Sequence, residues 1–87
     1  VSTVALLEYP TDYPIKVVGR PEGGFRLRID AIFERHAGPL PPGRVSETAS
    51  GKGNYVSITY TIVATGNEQV IALVEELAAT EGVLMVI

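Results

Sequence analysis

Gly53-Asn54-Tyr55-Val56-Ser57-Ile58-Thr59-Tyr60-Thr61-Ile62-Val63-Ala64 is the longest strand-like run in the chain, and its alternation decides the fold. Val56, Ile58, Tyr60, Ile62 and Ala64 make one apolar set, while Tyr55, Ser57, Thr59, Thr61 and Val63 make a mixed, Thr-rich one. A period of two with a single apolar face predicts a strand in a sheet that is covered on one side only.

Toward the N-terminus, Gly51-Lys52-Gly53-Asn54 supplies residues that tolerate positive φ, which predicts a hairpin into that run. The hairpin's other arm is residues 44–50, where Val45, Glu47 and Ala49 alternate with Ser46 and Thr48, so the two strands are antiparallel neighbours. Residues 40–43 form a proline-rich loop. Before it, Phe25, Ile29, Ile32, Phe33 and His36 recur at helical spacing, with Arg26, Asp30 and Glu34 on another face. This amphipathic helix should stop near Ala37-Gly38-Pro39, where glycine caps and proline cannot continue. Arg20-Pro21-Glu22-Gly23-Gly24 reads as the turn out of a short strand, Ile15-Lys16-Val17-Val18-Gly19. Residues 1–14 hold two Tyr-Pro pairs, each biasing its tyrosine toward extended geometry, and predict a shaped connector.

Toward the C-terminus, Thr65-Gly66-Asn67-Glu68 has the capping-box form, with Glu68 reaching back. Val70, Leu73, Val74 and Leu77 then mark a second helix that ends around Thr80-Glu81-Gly82. Val83-Leu84-Met85-Val86-Ile87 is apolar on both faces, so it predicts a strand covered on both sides or lying at an interface. The order strand, helix, strand, strand, helix, strand gives an α+β, ferredoxin-like sandwich. Its simplest form is a four-stranded antiparallel sheet of order 4-1-3-2 with both helices on one face.

Composition bounds the rest. At 87 residues and 46% hydrophobic, the chain fits one small domain with a thin core. The absence of cysteine excludes disulfides and thiolate metal sites and points to a reducing cytoplasm. No apolar run approaches the roughly 20 residues that span a bilayer, and no signal-peptide pattern opens the chain, so no membrane association is expected. Every Lys and Arg lies between Lys16 and Lys52, whereas only Glu68, Glu75, Glu76 and Glu81 are charged beyond. The expectation is an acidic second helix beside the Arg-rich first one. A formal charge of −3, with Asn54, Val56 and Ser57 where a base-stacking strand needs alternate aromatics, argues against nucleic acid.

Several stretches together resemble the YbeD-like family of small bacterial proteins: Leu6-Leu7-Glu8-Tyr9-Pro10 with Lys16-Val17-Val18-Gly19, Arg35-His36-Ala37, and Gly51-Lys52-Gly53-Asn54-Tyr55-Val56-Ser57. Ala64-Thr65, Glu68-Gln69, Glu75-Glu76-Leu77 and Met85-Val86-Ile87 also match, so the likeness covers residues 6–87 and departs at Gly23-Gly24. The resemblance implies an ACT-like ferredoxin fold, of the kind used as amino-acid-sensing regulatory domains. It further implies a family without an established biochemical function, associated by gene neighbourhood with lipoate attachment.

Candidate sites follow. Gly19, Arg20, Gly23 and Gly24 lie where ACT domains meet small ligands, and amides of such a turn beside Arg20 suit a carboxylate or phosphate; the plainer reading is a flexible turn. Lys52, on a glycine-flanked tip, is a second candidate contact, against the plainer reading of a solvated turn residue. The match of residues 19–26 to the anion loop of acylphosphatases is loose, and no counterpart of their catalytic asparagine is present. An acylphosphatase-like enzyme is therefore the alternative, and the expectation is no catalytic residue and no cofactor. His36 is the only histidine, so no metal site is expected. The second sheet face would still hold Val18, Tyr55, Val63 and part of the last strand. It therefore calls for a cover: the leader with Leu6 and Leu7, a second copy of the chain, or another protein. The functional expectation is a non-catalytic ACT-like regulatory module acting through a protein partner or a small metabolite.

Overall fold

Alternation along the central run becomes alternation of burial. The computed structural model describes residues 8–87, so the expectations for Leu6 and Leu7 lie outside the described residues. Its elements are β1 (Thr11–Gly19), α1 (Phe25–Ala37), a 3-10 turn (Pro42–Arg44), β2 (Val45–Ala49), β3 (Val56–Ala64), α2 (Asn67–Ala78) and β4 (Val83–Val86). In β3, Val56, Ile58, Tyr60, Ile62 and Ala64 are buried, whereas Val63 keeps 45% of its surface. The strands pair antiparallel in the order β2-β3-β1-β4, which is the expected 4-1-3-2, with β3 and β1 inside.

Both helices cover the apolar face. Phe25, Ile29, Ile32 and Phe33 of α1 and Leu73 and Leu77 of α2 join Ile15, Val17 and the even residues of β3 in one core. The Phe33 ring stacks on Tyr60, with centroids 3.8 Å apart and planes 14° from parallel. Burying each such large apolar side chain contributes about 1.5–3 kcal/mol, so one layer of contacts accounts for most of the fold's driving force.

Four sequence expectations are revised. β1 starts at Thr11 and runs straight through Pro14. The reason is local: the backbone of Lys16 bonds to Ile87 in both directions, so Pro14, two residues away, points its nitrogen to the same side, past the end of β4. Among the described residues no ladder bond is owed there, so the missing N–H is tolerated. Of the residues read as connector, 11–14 thus belong to β1, and the Tyr9-Pro10 peptide bond before them is cis.

The start of α2 is also different. Gly66 occupies the N-cap without a side-chain bond, and it is Gln69, not Glu68, that reaches back, its Oε1 accepting from the Thr65 amide at 2.7 Å. The Gln69 amide nitrogen then donates to the carbonyl of His36 at 2.9 Å, which ties α2 to the end of α1. α1 itself ends as expected, at Gly38 with φ 79°.

The hairpin turn is organised by a residue the sequence pattern passes over. Ser50 Oγ accepts from the amides of Asn54 and Tyr55 at 3.1 and 3.2 Å, and this holds Tyr55 outside β3. Last, β4 is an edge strand whose Leu84 and Met85 are exposed, so it is not covered on both sides by the described residues.

Candidate functional site

Sheet register brings the glycine loop, the hairpin and the α2–β4 turn to one end of the molecule. Gly19 pairs with Val56 on one side and Val83 on the other, and Ala49 pairs with Val56. The Arg20 amide donates to the Gly82 carbonyl at 3.1 Å, which joins the loop to the turn before β4.

Gly19 is buried, and packing explains it. A Cβ there would stand 2.3 Å from Phe25 Cζ and 2.6 Å from the Gly82 oxygen, so a side chain would push the first residue of α1 off the core. Gly23 and Gly24 are different: both have open space around them but φ of 63° and 74°, a left-handed pair that lets the chain turn into α1. The loop satisfies much of its own backbone. Its Glu22 amide donates to Arg20 O, Phe25 N to Glu22 O, and Arg28 to Gly23 O at 3.0 Å. Those bonds leave it a less open anion cradle than its glycine content suggests.

What remains is a cleft of about 570 Å³ between this loop and the start of β4, lined by Arg20, Glu22, Gly23, Arg28, Glu81 and Leu84. Arg20 and Gly23 therefore meet in one cleft, while Gly24 lines a smaller one of about 290 Å³ beside Arg26 and Glu47. Lys52, exposed on the hairpin tip, lines neither. Arg28 and Glu81 were missed by sequence reasoning. The signal was weak, since Arg28 reads as one more helix charge until its hydrogen bond to Gly23 is seen.

The open face carries the interface candidates. Cross-strand pairs put Val18 beside Met85 and Ser57, and Lys16 beside Thr59 and Ile87. Val18 is half-buried, Met85 keeps 52% of its surface and Ile87 keeps 69%. Tyr55 and Val63, also exposed, lie at opposite ends of β3. The apolar residues are thus not one patch. A group of Val18, Met85 and Ile87 occupies the β4 side, with Leu84 exposed at the adjoining edge beside the Arg20 cleft, and a stripe of Ser57, Thr59 and Thr61 separates it from β2.

Two charge networks brace the helices. Asp30 accepts from the Tyr60 hydroxyl at 2.6 Å and from Arg26 Nε at 2.8 Å, and Arg26 reaches on to Glu47 of β2 at 2.6 Å. Hydrogen bonds from Arg26 to Asp30 and then to Glu47 hold the guanidinium even more firmly protonated than usual. Burial, reinforced by the Asp30 hydrogen bond, pushes the Tyr60 hydroxyl well above the ordinary phenol range. The second network joins α1 to α2 as the charge pattern predicts: Glu76 pairs with Arg35, and its other oxygen lies 2.7 Å from His36 Nε2. Hydrogen bonding to His36, then to Arg35, holds the Glu76 carboxyl below the usual carboxylate range. His36 is thereby accounted for as a bracing residue. Among the described residues no group of three or more His, Cys, Asp or Glu could hold a metal ion, and no helix is long and apolar enough to cross a membrane.

With that geometry in view, comparison with known proteins is informative. A family profile described as "Protein of unknown function (DUF493)" matches residues 4–87. The UPF0250 protein of Shewanella sp. (strain ANA-3) is 39% identical over 84 residues, 94% of this chain and 91% of that one. That of Janthinobacterium sp. (strain Marseille) is 40% identical over 67 residues, 77% of this chain and 74% of its own. Among solved structures, the ACT domain from GTP pyrophosphokinase of Chlorobium tepidum superposes with a TM-score of 0.64, covering 88% of this chain and 97% of that one. At 18% identity this likeness shows the fold alone.

Proposed function

We propose that this chain, which belongs to the DUF493 family of proteins of unknown function, is a non-catalytic binding module with a regulatory role, and that it works through the β4 edge. The observation that carries the reading is the group of Val18, Leu84, Met85 and Ile87 on and beside an edge strand. An edge presents unpaired backbone donors and acceptors, and natural proteins usually blunt one with charge, proline or a cover. Residues 83–87 contain no charged residue and no proline. Such an edge favours strand addition by a protein partner or by a second copy of the chain. The neighbouring cleft with Arg20 and Arg28 supports a small carboxylate- or phosphate-bearing metabolite as the ligand that tunes this contact. The likeness to an ACT domain of a GTP pyrophosphokinase supports the module reading by fold.

Light scattering and affinity capture with wild type and Met85→Lys test the edge. Loss of self-association or of a captured partner in the variant, at unchanged thermal stability, supports the reading. Equal behaviour of the two proteins sinks it. A thermal-shift screen with amino acids, nucleotides, acyl phosphates and lipoate tests the cleft, because a ligand at a hundred times its Kd adds about 2.7 kcal/mol. Any shift it finds must disappear in Arg20→Ala.

A further inference from the structure

On the opposite flank, away from β4, lies a cavity of about 370 Å³ between α1, the 3-10 turn and the β2 edge. Its size is at the lower end of what small-ligand sites use. Phe33, Pro39, Leu40, Pro42 and Val45 give it an apolar wall, and Tyr60, whose ring is stacked on Phe33, gives it a rigid floor.

Its charged lining is acidic on balance. Arg26, Asp30 and Glu34 are the charged residues that line it, an excess of one negative charge. The donors are partly engaged: the Tyr60 hydroxyl on Asp30, Arg26 Nε on Asp30 and Arg26 Nη1 on Glu47, so two carboxylates already offset the one positive charge. Acceptors remain. Asp30 Oδ2 takes one bond, from Arg26 Nε at 3.0 Å, and the Glu34 carboxylate enters none of the ion pairs among the described residues. Glu34 also stands one helical turn beyond Asp30, and like charges at that spacing repel unless a cation sits between them. Because Asp30 is pinned from two sides, little ordering is needed when something binds.

We propose that this cavity is a binding site for a free monoalkylammonium ion, its ammonium held between Asp30 and Glu34 and its hydrocarbon chain lying along Leu40, Pro42 and Val45. A carboxylate next to the ammonium would face Asp30 and Glu34, with the Arg26 charge already offset by Asp30 and Glu47, so the amine is preferred over the corresponding amino acid. The site is distinct from the β4 edge and the Arg20 cleft, and does not depend on their roles.

The test is a titration of the isotope-labelled chain, followed by its amide resonances, with n-butylammonium chloride at ionic strength held constant with sodium chloride. Saturable shifts clustered at Asp30, Glu34, Leu40 and Val45 are expected. Glu34→Gln, an exposed position that leaves the fold intact, should weaken binding about tenfold, as the loss of one charge-assisted hydrogen bond does. n-Butanol, with the chain but no charge, should give no saturable shift, and norvaline, the same skeleton with a carboxylate, should bind more weakly. Equal binding of n-butylammonium to wild type and Glu34→Gln, shifts that do not saturate or cluster, or equal response to n-butanol or norvaline would each overturn the proposal. Tighter binding by Nα-acetyl-lysine methylamide would overturn the assignment to a free amine and point to a lysine side chain of a partner.

Discussion

Ile62 and Val63 are consecutive residues of one strand, yet the first is wholly buried and the second keeps 45% of its surface. The pleat sends one into the layer under the helices and the other to the open face. Every buried apolar side chain of β3 belongs to the first face, and the exposed Val63, Met85 and Ile87 belong to the second or to the edge. The core and the proposed contact surface thereby draw on different side chains of the same backbone. The separation means that substitutions can address either one while sparing the other.

Ile58→Ala should break the covered face most severely. It empties a fully buried site in the core, and a loss of about 2–5 kcal/mol is expected in urea unfolding. Gly19→Ala follows. The added methyl must displace Phe25 or the Gly82 carbonyl, so unfolding should show a loss of about 1–3 kcal/mol even with no ligand present. A Gly19→Ala protein of full stability that had lost only metabolite binding would reverse the packing reading.

Tyr60→Phe should cost about 1–3 kcal/mol by removing the hydrogen bond to the Asp30 carboxylate. It also has a pH signature. The Tyr60 hydroxyl titrates higher folded than unfolded, so its contribution is fully present below the ordinary phenol pKa of about 10 and drains away as pH rises above it. Wild type should therefore lose stability between neutral pH and the alkaline range faster than Tyr60→Phe does, as urea midpoints across that range would show. Smallest is Val63→Thr on the open face, expected within about 0.5 kcal/mol of wild type. A larger loss in dilute solution, vanishing when the chain is truncated before Glu8, would show that residues 1–7 bear on that face.

The strand order, both helices and their stop signals were legible because they rest on periodicity and on glycine and proline placement. The β1 extension was not, because a proline fits a strand only where it owes no ladder bond, and that depends on which β1 residues pair with β4, remote in sequence. Gln69 and Glu68 were adjacent candidates for one capping role, and only the position of the His36 carbonyl separates them. Tyr60 was readable as buried; its bond to Asp30 depends on how α1 settles across β3 and was not. For the candidate site, chain order was enough to bring the loop of Arg20 and the hairpin of Lys52 to the same end. It could not say that Arg20 shares a cleft with Arg28 and Glu81 and that Lys52 stands apart.

Gln69 has a mechanical consequence beyond its capping role. By accepting from Thr65 and donating to His36, one side chain fastens three segments at the corner where α1 ends and α2 begins, and Glu76 adds a second fastening two turns along. At the opposite end, where the glycine loop meets the turn before β4, no side-chain hydrogen bond among the described residues plays that part, and the backbone bond from Arg20 to Gly82 makes the join. The helix layer is therefore fastened by polar side chains at one end and by the packing of Phe25 against Gly19 and Gly82 at the other, and that second end is where the Arg20 cleft opens.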